Sequence, residues 1–303
     1  MRRRPAQLIG SLAFLFLGVF GSTGMFGGVA SGASHSKAST PVPSIPAAAA
    51  RAPIYLSLGD SVPIWNGNRS FPNILTGYFQ KDVPRLELVN LACSGETTDS
   101  MMAGSTCAPA GSQLKNAVDF LRAHQGEVAL VTMDIGGNDV VGCVYAADPS
   151  TCLTQRLVTM KAHLTYILDA LRLAAGPNIP IVGMNVFDPL LGDWLGPGAP
   201  RALALSAGVD GVPVLNQAMD MDYGVAASPV ADVQSAFESM DMTHFVASKW
   251  GRVPVAVERA CTLLDITCIE GQEENFGDDP DPAGAKVIAK AFEVTIGKLY
   301  PPQ

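Results

Sequence analysis

The sequence predicts an α/β protein: one parallel five-stranded sheet with helices on both faces, in three α/β/α layers. Three observations predict it. Short apolar runs alternate with longer segments whose apolar residues recur at three-and-four spacing, which is the pattern of a strand–helix repeat. The chain of 303 residues is long enough for one large domain with a substantial core. Finally, three of the strand-like runs end in glycine-containing polar turns, and in an open α/β sheet such turns gather at the carboxyl edge of the strands.

The first strand is Ile54 to Leu58, an apolar run following a Pro/Ala-rich stretch and ending abruptly in Gly59-Asp60-Ser61. A loop from Val62 to Arg69 leads to a helix over Ser70–Phe79, with Pro72 near its first turn. Leu86 to Leu91 reads as the second strand and runs into Ala92-Cys93-Ser94-Gly95-Glu96-Thr97-Thr98. Gln113 to Ala123 is amphipathic, with Leu114, Val118, Phe120 and Leu121 on one stripe. The third strand, Val128 to Asp134, ends in Ile135-Gly136-Gly137-Asn138-Asp139. A long helix spans Thr151 to Ala174. The fourth strand spans Ile179 to Val186 and leads into Phe187-Asp188-Pro189-Leu190-Leu191-Gly192. One or two helices lie between Ala202 and Tyr223 around Pro213, a short fifth strand lies within 225–233, and Asp281 to Leu299 is a closing amphipathic helix. No repeat and no second folded domain is visible.

The N-terminal segment reads as a targeting sequence. Arg2, Arg3 and Arg4 precede an apolar run from Leu8 to Phe20, and small residues lead to Ala33, the order of a secretory signal peptide. The expected organisation is a signal peptide over 1–33, a disordered Ser/Ala/Pro linker over 34–52 and a folded domain over 53–300, in a protein secreted rather than anchored in a membrane. A hydrophobic content of 48% excludes a disordered chain, and a net charge of −8 excludes a basic nucleic-acid footprint. Six cysteines in an exported chain point to disulfides, whose pairing sequence alone leaves open. Their spacing suggests three local loops: Cys93 with Cys107, Cys143 with Cys152, and Cys261 with Cys268. No Cys-x-x-Cys pair is present and the four histidines are scattered, so neither a metal nor another cofactor is expected.

The three polar turns offer what a hydrolytic serine needs. Ser61 supplies a hydroxyl, the Gly95 N–H is unshielded by any side chain, and the Asn138 amide can donate to a developing oxyanion. In their order and spacing these blocks resemble the SGNH (GDSL-type) hydrolases of the secreted actinobacterial type, over roughly residues 52–298. Ser61 matches the nucleophile block, Gly95 the glycine block and Asn138 the asparagine block; Asp188-Pro189-Leu190-Leu191-Gly192 is also similar to a family segment. The resemblance implies the flavodoxin-like α/β/α sandwich of that family. It also implies hydrolysis of carboxylic esters through Ser61, with the Ser61 N–H, Gly95 N–H and Asn138 as oxyanion hole.

One block departs from the pattern. The family carries its histidine just before the last helix, followed by proline, with glycine four residues beyond that proline. Aligning Pro280, Gly284 and Ile288-Ala289 puts Asp279 at the histidine position and Phe276 at the usual aspartate. Histidine, with a reference pKa of about 6.5, can take and return a proton at neutral pH; an aspartate near 3.9 accepts a hydrogen bond but is a poor acid for a leaving alkoxide. Asp241-Met242-Thr243-His244 has the family's Asp-x-x-His spacing but lies 35 residues before Asp279 and reads as a surface loop. His124 closes a helix, and His163 reads as an ordinary helix residue. The expected function is therefore a secreted serine esterase or lipase, monomeric, acting on a small ester or acylated substrate. The alternative is a catalytically impaired relative that binds a lipid, glycan or acylated polymer. A flavodoxin-like nucleotide binder is disfavoured because no Gly-rich phosphate loop opens a helix.

Overall fold

The computed structural model describes residues 52–105, 107, 111–266, 268–269 and 279–299. The expected signal peptide, all but the last residue of the linker, and Phe276 lie outside the described residues. Five parallel strands form one sheet: β1 (Ile54–Gly59), β2 (Glu87–Asn90), β3 (Val128–Asp134), β4 (Ile181–Met184) and β5 (Val230–Ala231), in the order β2-β1-β3-β4-β5. The chain moves outward from β1 to β2, then crosses back to β3 on the other side. The crevice beyond the carboxyl ends of β1 and β3 is the switch point at which this topology accepts ligands.

Alternate strand residues feed two cores, because successive side chains point to opposite faces. On one face Tyr55, Leu130 and Val182 pack with α1 (Phe71–Phe79), α9 (Val255–Leu263) and α10 (Pro282–Leu299). On the other, Leu56, Leu58, Val131 and Met133 pack with α3 (Gln113–Ala123), α5 (Pro149–Ala175) and α7 (Gly211–Val225). Phe71 of α1 stacks on Phe292 of α10 at 5.0 Å between ring centroids, closing the first layer. Two short helices serve the carboxyl edge: α2 (Thr98–Ala103), opened by a Thr97/Ser100 capping box, and α4 (Gly137–Val140).

The strands and main helices lie where the periodicity puts them, with local differences. The fourth strand is shorter than 179–186. Pro180 has no N–H for the ladder, and beyond Met184 a last backbone bond, Asn185 N–H to Ala231 C=O at 3.3 Å, gives way to side-chain contacts: Asn185 Nδ2 donates to Asp232 Oδ1, and Val186 N–H donates to Asn216 Oδ1. The segment around Pro213 breaks earlier than that proline, into α6 (Ala199–Leu203), a π-helical stretch Ala204–Val209, and α7. Pro213 is accommodated in the first turn of α7, where no donor is lost. The irregular stretch contains Gly208, where a Cβ would lie 2.5 Å from the Asp188 carboxylate. The periodicity does not register α8 (Val233–Ala236), α9, or the antiparallel hairpin of β6 (Phe245–Ser248) and β7 (Gly251–Pro254). All three cysteine pairs suggested by spacing are bonded: Cys93–Cys107, Cys143–Cys152 and Cys261–Cys268. Among the described residues no helix is long and apolar enough to cross a membrane.

Candidate active site

Gly59 ends β1 at φ +134°, and a Cβ there would sit 2.1 Å from the Asp134 carbonyl oxygen. Only glycine permits β1 to turn this close to β3, and the turn delivers Asp60 and Ser61 to the rim. Gln113, at the start of α3, secures the turn. Its Oε1 accepts from Gly59 N–H at 2.7 Å, and its Nε2 donates to Gly59 C=O at 2.8 Å and to Glu96 Oε2 at 2.9 Å. The same amide thus grips the end of β1 and the Gly95-containing turn that follows β2. Cys93 N–H adds a further bond to Gly59 C=O at 2.9 Å.

The third turn is tied to the other two. Asn138 Nδ2 donates to Asp60 Oδ2 at 3.2 Å and to the Glu96 carbonyl at 3.1 Å. Next to it, Asp139 accepts from the Thr98 N–H at 2.9 Å and from the Thr98 hydroxyl at 2.5 Å. Burial pushes the Asp139 carboxyl upward, and the Thr98 bonds oppose that rise. His163 joins this group from α5, its Nδ1 lying 3.4 Å from Thr98 Oγ1. So Asp60-Ser61, Gly95-Glu96 and Asn138-Asp139, distant in sequence, meet at one edge.

Ser61, Asn138, Asp60 and Asp134 line a common cavity of about 550 Å³. Ser61 is half-buried, and among the described residues neither its hydroxyl nor its N–H has a hydrogen-bond partner. Gly95 is exposed at φ +74°, and its N–H is likewise unengaged among the described residues. Gly95 is not among the described residues lining the cavity; it lies at the junction behind Asn138, one residue from the Glu96 carbonyl that Asn138 holds.

Asp279 is buried, and its carbonyl accepts from Asp265 N–H at 2.8 Å. The neighbouring chain is fastened to the segment after Ser61: Trp65 Nε1 donates to Asp265 Oδ2 at 3.1 Å, and Asn66 Nδ2 donates to the Pro280 carbonyl at 2.7 Å. Asp279 therefore belongs to the same rim, although it does not line the cavity. Its charge acts on Asp134. Burial pushes the Asp134 carboxyl upward, a hydrogen bond with Asp60 opposes this, and the Asp279 charge adds to the rise. Two carboxyl groups can share a hydrogen bond only if one keeps its proton. Asp60, Asp134 and Asp279 thus form a buried acidic group beside Ser61 that can hold a proton.

No histidine lines the cavity among the described residues. His244 lies on an exposed loop, paired with Asp241 at 3.0 Å. His124 caps the end of α3 and stacks on Phe120 at 4.0 Å. Sequence reasoning passed over Gln113, Glu96 and Asp134. Asp134 carried a signal, a carboxylate closing an otherwise uncharged buried strand; nothing in the local pattern sets Gln113 apart from a helix-start residue behind the Ser112 cap.

The five-stranded parallel sheet with helices on both faces is the α/β fold of the SGNH hydrolases, and the chain belongs to the GDSL-like lipase/acylhydrolase family, whose model matches residues 57–241. Its fold is similar to that of phospholipase A1 from Streptomyces albidoflavus NA297, at 16% identity and a TM-score of 0.53, over 81% of this chain and 100% of that one. An extracellular lipase from Streptomyces rimosus is similar at 17% identity and a TM-score of 0.48, covering 79% of this chain and 100% of its own. An aryl esterase from M. smegmatis stands at 13% identity and a TM-score of 0.47, covering 82% and 100%. At these identities the likeness concerns the fold alone. No curated protein sequence matches the chain.

Proposed function

We propose that the protein is a secreted serine esterase or lipase that hydrolyses carboxylic esters. Ser61 Oγ attacks the acyl carbonyl, the alcohol leaves, and water then cleaves the acyl-enzyme. The Ser61 and Gly95 N–H groups and the Asn138 amide receive the oxyanion. Because both Asn138 N–H bonds are already made, to Asp60 and Glu96, an oxyanion contact requires exchanging one of them. A single such donor is typically worth about 3–4 kcal/mol in the transition state. Asp279, at the family's histidine position, takes the Ser61 proton, and the neighbouring Asp134, held upward by burial, allows the acidic group to keep it. The observation that carries this reading is the convergence on Asn138, whose amide joins the Ser61 turn to the Gly95 turn at the cavity that Ser61 lines. Secretion is supported by the signal-like N-terminus and three disulfides.

The test is release of a chromogenic short-chain acyl ester. Ser61→Ala should lower turnover by roughly 10³-fold or more, and equal rates would remove the proposal. A second reading has its own support: no imidazole lines the cavity among the described residues, and none of their side chains hydrogen-bonds the Ser61 hydroxyl. On that reading the fold binds a lipid, glycan or acylated polymer without turning it over. Asp279→His separates the two. A large gain from a near-inactive wild type favours the binding reading, whereas no gain over an efficient wild type eliminates it.

A further inference from the structure

The cavity beside Ser61 is unusual in the charges that surround it. Its walls are built from three segments, 140–157, 184–190 and 203–215, and are apolar, with Val144, Leu153, Leu157, Phe187, Leu190 and Leu215 among the lining side chains. Its acidic lining residues are four aspartates, Asp60, Asp134, Asp148 and Asp210, of which the hydrogen-bonded Asp60–Asp134 pair keeps one proton and so carries one negative charge between them. No lysine, arginine or histidine lines it among the described residues. Asp60 and Asp134 are buried, and Asp148 and Asp210 are exposed, so carboxylates flank the apolar walls at the buried end and at the solvent side. Asp134, which lines the cavity, is 4% exposed, and its enclosed Oδ2 has no hydrogen-bond partner. Asp148 is committed locally, its Oδ1 accepting from Thr151 N–H at 3.0 Å as the N-cap of α5, but it retains its charge.

Apolar walls bind a hydrocarbon chain whatever its head group, so they do not choose among amphiphiles. Charge does. An anionic head drawn to this cavity meets only like charge, and a cationic one meets complementary charge in surroundings less screened than bulk water. Resting on the ester-hydrolase reading of the same site, we propose that the cavity selects amphiphilic esters by head-group charge: cationic first, uncharged second, anionic last. The same field expels a fatty-acid product, whose carboxylate appears only when the ester has been cut.

The test is binding, not turnover, so it does not depend on whether Ser61 is active. Octyltrimethylammonium, octyl glucoside and octyl sulfate share one chain and differ in head charge; each is titrated calorimetrically into the full-length protein at low salt and again at 0.5 M salt. Octyltrimethylammonium should bind at least tenfold more tightly than octyl sulfate, with octyl glucoside between them, and the ratio should shrink at high salt. The double variant Asp148→Asn/Asp210→Asn, which keeps a capping side chain at 148, should bring the ratio within about threefold. Equal or tighter binding of octyl sulfate overturns the proposal. So does an unchanged ratio in the double variant, which would assign the preference to the net acidity of the whole surface. Loss of ester hydrolysis in wild type, with the binding order retained, would instead count against the enzymatic reading alone.

Discussion

Replacing Gln113 by leucine removes the side chain that holds the Gly59-Asp60-Ser61 turn in place. Leucine keeps the approximate volume of glutamine, so the perturbation is the loss of three hydrogen bonds rather than a cavity. Gln113 is 1% exposed, and its loss leaves the Gly59 N–H unmet and takes one bond each from Gly59 C=O and Glu96 Oε2. Each buried group left without a partner costs about 1–3 kcal/mol, and more where charge is involved. Gly59 C=O keeps its bond from Cys93 N–H, and Glu96 keeps its bonds from Ser100 and Ser105, so their shares fall at the low end. The expected loss is about 3–5 kcal/mol, a large part of the stability of an ordinary domain. Urea unfolding followed by circular dichroism measures it. A midpoint shift equivalent to less than about 1 kcal/mol would refute the assignment of Gln113 as the fastening of Gly59. Where the variant remains folded, ester turnover should fall because the turn that aims Ser61 is loosened.

Three further outcomes concern buried groups elsewhere in the fold and the cavity wall. Burial pushes the Asp188 carboxyl from 3.8 up to about 7, so the native state keeps a proton that the unfolded chain releases between those pH values. Stability from this group is therefore full below about pH 4 and is lost as pH rises through 7, by about 4 kcal/mol at roughly 1.4 kcal/mol per pH unit; Asp188→Asn should remove that slope in denaturant unfolding across pH 4 to 8. At Gly183 in β4 a Cβ would lie 2.3 Å from the buried Tyr223 ring, so Gly183→Ala should destabilise by about 2–3 kcal/mol by thermal unfolding, and a neutral result would contradict the packing of α7 on the sheet. The Cys143–Cys152 bridge closes a loop of sequence separation 9 in the cavity wall; replacing both cysteines by alanine should cost about 2–3 kcal/mol in the chain-entropy account, measured by urea unfolding under non-reducing conditions.

The sheet and its carboxyl edge were legible because the signals are local. The β1 and β3 runs are apolar almost throughout and end in turns that need glycine, and their observed bounds differ by no more than one residue from those the pattern gives. The three polar turns could be read as one site because a parallel sheet puts every strand's carboxyl end on the same side. What was not legible depends on contacts across the fold. Gln113 lies 54 residues from Gly59, and nothing near it says that its amide will span two turns. The early break before α7 carries no local signal; within that stretch Gly208 packs against Asp188, 20 residues upstream. The acidic character of the cavity is invisible for the same reason: Asp60, Asp134, Asp148 and Asp210 come from four segments, and Asp60, Asp148 and Asp210 alone read as turn or cap residues while Asp134 reads as the end of a strand.

The central claim is that Ser61 is a nucleophile presented to the cavity by the joined turns. Its most direct measurement is intact-mass and peptide mapping after incubation with diethyl p-nitrophenyl phosphate, which leaves a diethylphosphoryl group on an activated serine. The account predicts one adduct per chain, on the peptide containing Ser61, and none in Ser61→Ala. An unmodified protein after prolonged exposure, or an adduct on another residue that persists in Ser61→Ala, would contradict it.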